Sequence, residues 1–240
     1  MTKFSHRSSE LELLDDPNIP QELLFKNLRE LDMVNRLLGG HAITLAGIQK
    51  LVTDKNKTYR IVDVGCGGGD AMKQIALWAK KNNFNVELIG VDINADAILF
   101  MKAYCRKFSN ISGVVSDYRD FLKSNTIVDI VHCSLFCHHL HDDQLIELFQ
   151  YLKTYATTGF VINDLQRHWF AYYSIKFLTR LLNGSLLVKN DAPLSVLRAF
   201  RKEELCALLD NAAVNNYSVN WKWAFRYLIV THSEGRFLKV

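Results

Sequence analysis

The chain has 240 residues, 49% of them hydrophobic and 22% charged, a balance that excludes a disordered protein and suits a folded domain. Twelve Gly and three Pro exclude a collagenous or linker-rich chain, and a net charge of +4 is too small to suggest a nucleic-acid partner. Five cysteines, an odd number, predict free thiols, no apolar run reaches the ~18 residues of a membrane span, and the start MTKFSHRSSE lacks a secretory apolar region, so a cytoplasmic protein is expected.

In chain order, residues 1–18 are polar and predict a frayed start. Residues 21–40 read as a helix, with Leu24, Leu28 and Leu31 at helical spacing and Gly39-Gly40 as the stop. A short helix over 42–51 follows, and the polar turn TDKNKT is the best internal boundary. Residues 1–56 are therefore expected to be an N-terminal helical cap and 57–240 the main domain. From Tyr59 the pattern alternates. Ile61–Val64 is a strand, then come a glycine cluster and a helix over 70–81. A strand at 86–91, a helix burying Ala97, Met101 and Phe108, and strands at 111–115 and 127–131 follow. A helix with Leu145, Leu148, Phe149 and Leu152 on one side leads to a strand at 160–162. Apolar strands separated by helices predict a parallel sheet with ligands at the strand C-termini. After a helix over 201–210, Tyr217, Val219, Trp221 and Trp223 alternate with polar residues, which predicts a closing, antiparallel pair of strands.

Asp63-Val64-Gly65-Cys66-Gly67-Gly68-Gly69-Asp70 lies between the first strand and its helix. Glycine there permits positive φ and close approach of a ligand, beside the free N–H groups of a helix start. A dinucleotide fingerprint wants Gly or Ala at the sixth position, where Asp70 stands, and no Lys-Ser/Thr completes a Walker loop. A carboxylate at Asp63 would repel a diphosphate and favour a ligand carrying positive charge. Asp92 ends the second strand, where it can accept both hydroxyls of a ribose. Asp117 follows the third strand, placed to accept from an adenine amine, with Ile93 or Tyr118 against the ring. Helix caps and turns are the structural alternative for both acids.

Asp63-x-Gly65-x-Gly67-x-Gly69, then Asp92, then Asp117 resembles the class I S-adenosylmethionine-dependent methyltransferases, and the element order over 59–164 is similar to theirs. The resemblance implies a Rossmann-like α/β fold, a doubly wound, mostly parallel seven-stranded sheet with an antiparallel closing strand. It implies S-adenosylmethionine as cofactor and S-adenosylhomocysteine as product. By resemblance, Gly65, Cys66, Gly67 and Gly69 approach the methionine part, Asp92 the ribose and Asp117 the adenine. LDMVNRLLGGH is similar to the segment ahead of the core in quinone-type methyltransferases, which makes Asn35 and Arg36 further cofactor candidates, Arg36 for its carboxylate.

The fourth strand runs into His132-Cys133-Ser134-Leu135-Phe136-Cys137-His138-His139. In the resembling family this segment lies between cofactor and acceptor, which adds Cys133 and Ser134 to the cofactor set. It lacks the Asn/Asp-Pro-Pro-Tyr of base N-methyltransferases. Cys133-x(3)-Cys137 fits a zinc site loosely, but no second pair of Cys or His follows at a distance, and the fourth strand ends in Cys133-Ser134, without the carboxylate a hard cation needs there, so no metal is expected. Acid–base chemistry remains, with His138 and His139 as candidate bases. Residues 165–193 form an aromatic-rich insertion that reads as a helical lid, with Asp164, Arg167 and His168 facing an acceptor pocket; the alternative for its apolar surface is extra core or a homodimer contact. The expected reaction is O-methylation of a phenolic hydroxyl on a small lipophilic acceptor. A quinone-type carbon methyltransferase, an NAD(P)-dependent oxidoreductase and a non-catalytic S-adenosylmethionine-binding protein are the alternatives.

Overall fold

The computed structural model describes residues 3–124 and 127–233. Seven strands form one sheet in the order β3-β2-β1-β4-β5-β7-β6: β1 (Thr58–Val64), β2 (Asn85–Asp92), β3 (Ile111–Val115), β4 (Val128–Ser134), β5 (Ala156–Leu165), β6 (Tyr217–Lys222) and β7 (Arg226–Thr231). The pairs β1–β2, β1–β4, β2–β3 and β4–β5 are parallel, and β7 pairs antiparallel with both β5 and β6. The expected closing pair of reversed strands is thus present, with β7 inserted next to β5.

Strand alternation sends successive side chains to opposite faces, and this sheet is buried on both. Val62 and Val64 join one core with Leu145, Leu148 and Phe149 of α6 (Asp142–Tyr155), Leu122 of α5 (Tyr118–Lys123) and Leu205 of α9 (Lys202–Asn211). Ile61 joins the other with Ile48 of α2 (Gly40–Leu51), Met72 and Ile75 of α3 (Asp70–Asn82), and Met101 of α4 (Ala95–Tyr104). Helices on both faces are the doubly wound arrangement. The strand order turns back between β1 and β4, so a crevice opens at their C-terminal ends.

One part differs from expectation. Residues 3–18 are tied down: Ser8 N donates to Leu197 O at 3.0 Å, and Asp191 accepts from Leu13 N and Leu14 N at 2.9 and 3.0 Å. These are backbone donors; the polar side chains of Arg7 and Glu12 add bonds to Asp142 and Ser195, so the segment does not fray. The insertion is a pair of helices, α7 (Trp169–Leu181) and α8 (Leu186–Arg198), with Pro193 inside α8. α1 (Gln21–Leu37) packs beside α2, α4 and α8, so cap and insertion meet over the crevice.

Candidate functional site

The β1–α3 turn has three glycines at positive φ, Gly65 (+66°), Gly67 (+47°) and Gly69 (+73°). A Cβ on Gly65 would lie 2.2 Å from Cδ2 of Phe136, and one on Gly69 would lie 2.4 Å from Cγ of Met101. Glycine is therefore required at both by backbone conformation and by packing. Asp92 braces the turn: Gly67 N donates to its Oδ2 and Asn94 N to its Oδ1, each at 2.9 Å. Burial pushes the Asp92 carboxyl above its ordinary value, partly offset by those two N–H donors.

A cavity of 690 Å³ opens over this turn, lined by Gly65 to Gly68, Asp70, Asp92, Ile93, Asp117, Tyr118 and Ser134 among others. Its wall carries six carboxylates, Asp15, Asp16, Asp70, Asp92, Asp96 and Asp117, against one guanidinium, Arg119. That surplus disfavours a diphosphate and favours a ligand with cationic groups. The size suits a nucleoside-containing molecule, and the glycine turn offers it bare backbone. Asn35 also lines this cavity; its Nδ2 donates to Asp70 Oδ2 at 3.1 Å and its Oδ1 accepts from Arg226 Nη2 at 2.8 Å. Asp117 caps α5, accepting from Arg119 N at 2.8 Å, and still faces the cavity.

Four expected contacts fall elsewhere. Asp63 turns away from the cavity to accept from His132 Nδ1 at 2.7 Å, in a fully buried network that continues from His132 Nε2 to Thr44 Oγ1 at 3.3 Å. The acidity of the cavity therefore comes from other carboxylates. Arg36, with a side chain 52% exposed, pairs with Asp32 at 2.8 Å and donates to Tyr104 Oη at 2.8 Å. Cys133 is buried in the core, because strand alternation gives the cavity to its neighbour Ser134. Gly69 does not line the cavity; it fits the start of α3 against α4.

A second cavity, of 230 Å³, adjoins the first and shares Leu14, Leu31, Leu135 and His139 with it. Its other walls include Phe170, Ile175 and Leu178 of α7, Val34 of α1, and Phe225. Leu135 at this junction holds φ +53°, a strained conformation for a branched side chain that is found mostly at functional sites.

His138 and His139 stand at the junction as a tilted pair, ring centroids 4.4 Å apart. His138 Nδ1 donates to Asp164 Oδ1 at 2.7 Å, which in the neutral ring leaves Nε2 as the lone-pair nitrogen. Burial pushes the Asp164 carboxyl up, but the His138 ring outweighs it and holds the group below its ordinary value. His139 Nδ1 bonds Asp15 Oδ1 at 2.8 Å. Both Nε2 atoms face Glu12: His138 Nε2 is 3.6 Å from Oε1 and His139 Nε2 3.9 Å from Oε2. Burial pushes the Glu12 carboxyl up to about 7.

Arg167 and His168 do not reach either cavity. Arg167 Nη1 donates to Ala199 O at 2.6 Å and Nε to Phe4 O at 3.1 Å, with Glu204 as ion-pair partner. His168 caps α7 and stacks on Phe225 with centroids 5.0 Å apart. Asp164 lines neither cavity and reaches the site through His138 and through Leu165, whose N–H donates to Asp164 Oδ1 at 2.7 Å. Sequence reading missed Glu12 and Asp15, which sit far from the histidines in the chain and in a segment without periodicity. It also missed Arg226, a buried guanidinium that donates to Asn35 and feels the charges of Asp164 and Asp70; burial pushes its pKa down to about 10.

A methyltransferase domain model matches residues 55–182. By sequence, no curated protein matches the chain. Among solved structures, a plantazolicin methyltransferase in complex with S-adenosylhomocysteine matches with TM-score 0.64 and 17% identity, over 91% of this chain and 91% of that one. Human N-acetylserotonin methyltransferase in complex with S-adenosylmethionine matches with TM-score 0.58 and 14% identity, over 89% of this chain and 56% of its own. A candidate O-methyltransferase of Nostoc punctiforme matches with TM-score 0.58 and 16% identity, over 86% and 60%. The chain thus spans less than two thirds of the last two proteins. Among the described residues, no helix is long and apolar enough to cross a membrane.

Proposed function

This chain belongs to the methyltransferase domain family, and on that premise we propose that it methylates a hydroxyl of a small lipophilic, aromatic acceptor with S-adenosylmethionine. S-adenosylmethionine supplies an electrophilic methyl group on a sulfonium. The acidic wall of the larger cavity matches that cation and the ammonium group beside it. Asp92 keeps one free lone pair on each oxygen for the ribose hydroxyls, Asp117 accepts from the adenine amine, and Ile93 covers the ring. Asn35 and the backbone of Gly65 to Gly68 hold the methionine end. An oxidoreductase reading is set aside by the family and by the six carboxylates that a diphosphate would meet.

The observation that carries the acceptor class is the second cavity, apolar on most sides and joined to the first at Leu135 and His139. A phenol there loses its proton, with an ordinary pKa of about 10, to a ring nitrogen of the His138–His139 pair as its oxygen takes the methyl group. Asp164 fixes the His138 tautomer and steadies the charge the ring gains. Much of the rate comes from holding the acceptor oxygen in line with the methyl carbon. A carbon methyltransferase acting on a quinone-type ring is the second reading, favoured by the same apolar walls. The reading keeps residues 1–56 and 165–193 as the two covers of the acceptor pocket.

The test is purified protein incubated with S-adenosylmethionine and a panel of phenols, quinols, fatty acids, amines and a peptide mixture. Mass spectrometry reads the products and NMR the methylated atom. Methylation of phenols or quinols at oxygen is expected; ring-carbon products select the second reading. Turnover confined to amines or peptides defeats both.

A further inference from the structure

We propose that Glu12, His138 and His139 form a binding site for a divalent transition ion of the zinc class, on the boundary between the two cavities. The site itself rests on geometry alone; its part in methyl transfer rests on the acceptor reading above.

The three side chains present ligand atoms that all lie within 4.8 Å of one another. The separations of Glu12 from the two Nε2 atoms, 3.6 and 3.9 Å, are too long for hydrogen bonds. They are close to the edge of a tetrahedron built on metal–ligand bonds of about 2.1 Å, which is about 3.4 Å. Shifts of a few tenths of an ångström would close the set around an ion.

The outer contacts point the same way. A metal-binding histidine usually donates its other ring N–H to a carboxylate, which fixes the tautomer and strengthens the ligand. Both histidines do so here, His138 to Asp164 at 2.7 Å and His139 to Asp15 at 2.8 Å. Each ring thereby turns its lone-pair nitrogen toward Glu12. Ser195 Oγ donates to Glu12 Oε1 at 2.8 Å, and Arg198 holds the histidine backbones, Nε on His138 O at 3.1 Å and Nη2 on His139 O at 2.8 Å. Arg198 Nε also lies 3.8 Å from Glu12 Oε1, so charge must be counted. With Glu12 ionised, as a ligand must be, Glu12, Asp15, Asp164 and Asp191 outnumber Arg198 and Arg226 by two in this corner, while Arg7, which also bonds the His138 and Leu140 carbonyls, is paired with Asp142 at 2.6 Å. A divalent ion balances that surplus.

Two histidines and one carboxylate leave a fourth position open, the pattern of a working rather than a purely structural zinc site. Here the open side meets the cavities, since Glu12, His138 and His139 line the smaller one and His139 the larger. A hydroxyl coordinated there would lose its proton to water because the ion lowers its pKa. The ion would then take over the part assigned to the free imidazoles. Spacing within 132–141 hides such a site, because the third ligand comes from residue 12. A second cluster, Asp32, His41 and Asp70, has one histidine, whose Nε2 is already bonded to Asp32 at 3.0 Å; it serves as a control.

The experiment is titration of the metal-stripped full chain with Co²⁺ alone, followed by displacement with Zn²⁺. One Co²⁺ per chain is expected, with visible ligand-field bands and no thiolate-to-metal band. Glu12→Gln, His138→Ala and His139→Ala should each weaken Co²⁺ at least 100-fold, and Asp164→Asn by about 10- to 100-fold. His41→Ala should change nothing. Circular dichroism and S-adenosylhomocysteine affinity certify folding, and the isosteric Glu12→Gln keeps the test valid if a histidine variant unfolds. Binding no tighter than millimolar, a thiolate band, or unchanged affinity in the Glu12 and histidine variants would overturn the site. Full methyl transfer by the chelated chain would overturn the ion's part in the reaction. Intact Co²⁺ binding with no hydroxyl acceptor methylated defeats the acceptor reading and leaves the site standing.

Discussion

Asp92→Asn separates two duties of one carboxylate. In the folded chain its Oδ2 and Oδ1 each accept a backbone N–H at 2.9 Å, from Gly67 and Asn94. The amide has one oxygen, so its NH₂ must face one of those N–H groups. An unsatisfied donor costs about 1–3 kcal/mol when fully buried, and about 1 kcal/mol is expected for these part-buried groups at the cavity wall. At roughly 2–4 °C per kcal/mol for a chain of this size, the ligand-free Tm should fall by about 2–4 °C. The second duty is toward the ribose. Loss of one charge-assisted bond, about 1.5–3 kcal/mol, weakens S-adenosylhomocysteine by about 10- to 150-fold. Differential scanning fluorimetry reads the first effect and isothermal calorimetry the second. A lowered Tm with an unchanged Kd would refute the ribose assignment and leave Asp92 as a brace for the glycine turn. An unchanged Tm would refute the hydrogen-bond geometry.

Gly65→Ala combines positive φ with a Cβ 2.2 Å from Phe136; strain of about 1–2 kcal/mol plus overpacking of about 1–3 kcal/mol should appear in the urea midpoint as a loss of about 2–5 kcal/mol. Asp32 is held below the ordinary carboxylate range: burial pushes it up, but bonds from Tyr104 and His41 and the charge of Arg36 outweigh that. A lowered folded pKa stabilises above the unfolded value and the benefit disappears as pH falls through the folded one. Asp32→Asn should therefore cost about 1–2 kcal/mol near neutrality, and the gap from wild type should close below about pH 4; a gap that widens in acid contradicts the pairing. Burial pushes the thiols of Cys66 and Cys105 up, the latter to about 11, and a bond with Cys133 followed by burial raises Cys137. Brief iodoacetamide treatment near neutral pH should label the half-buried Cys206 first, read by peptide mass spectrometry.

Much of the fold was legible because it depends on periodicity. Runs such as Ile61–Val64 and Leu88–Val91 are buried on both faces, and the helices between them carry one apolar stripe, so a parallel sheet follows from pattern alone. The six-residue α5 escaped because it is too short to show a period. β5 extends over Ala156–Leu165, well beyond its apolar centre, because ladder bonds to β4 and β7 continue through polar residues. The positions of Gly65, Asp92 and Asp117 on the cavity wall were legible because strand ends and glycine turns are local features. Asp63, Arg36 and Cys133 misled because side-chain direction depends on partners far away in sequence: His132 captured Asp63, Asp32 captured Arg36, and strand alternation buried Cys133. Glu12 is the converse case, a residue in a polar segment brought to the cavity wall by the chain folding back onto α8.

The most direct test of the cofactor assignment is calorimetry of the purified chain with S-adenosylhomocysteine and, separately, with NADH. One equivalent of S-adenosylhomocysteine should bind with measurable heat, and NADH should give none, because its diphosphate meets the carboxylate-lined wall. Heat from NADH with silence from S-adenosylhomocysteine would contradict the assignment.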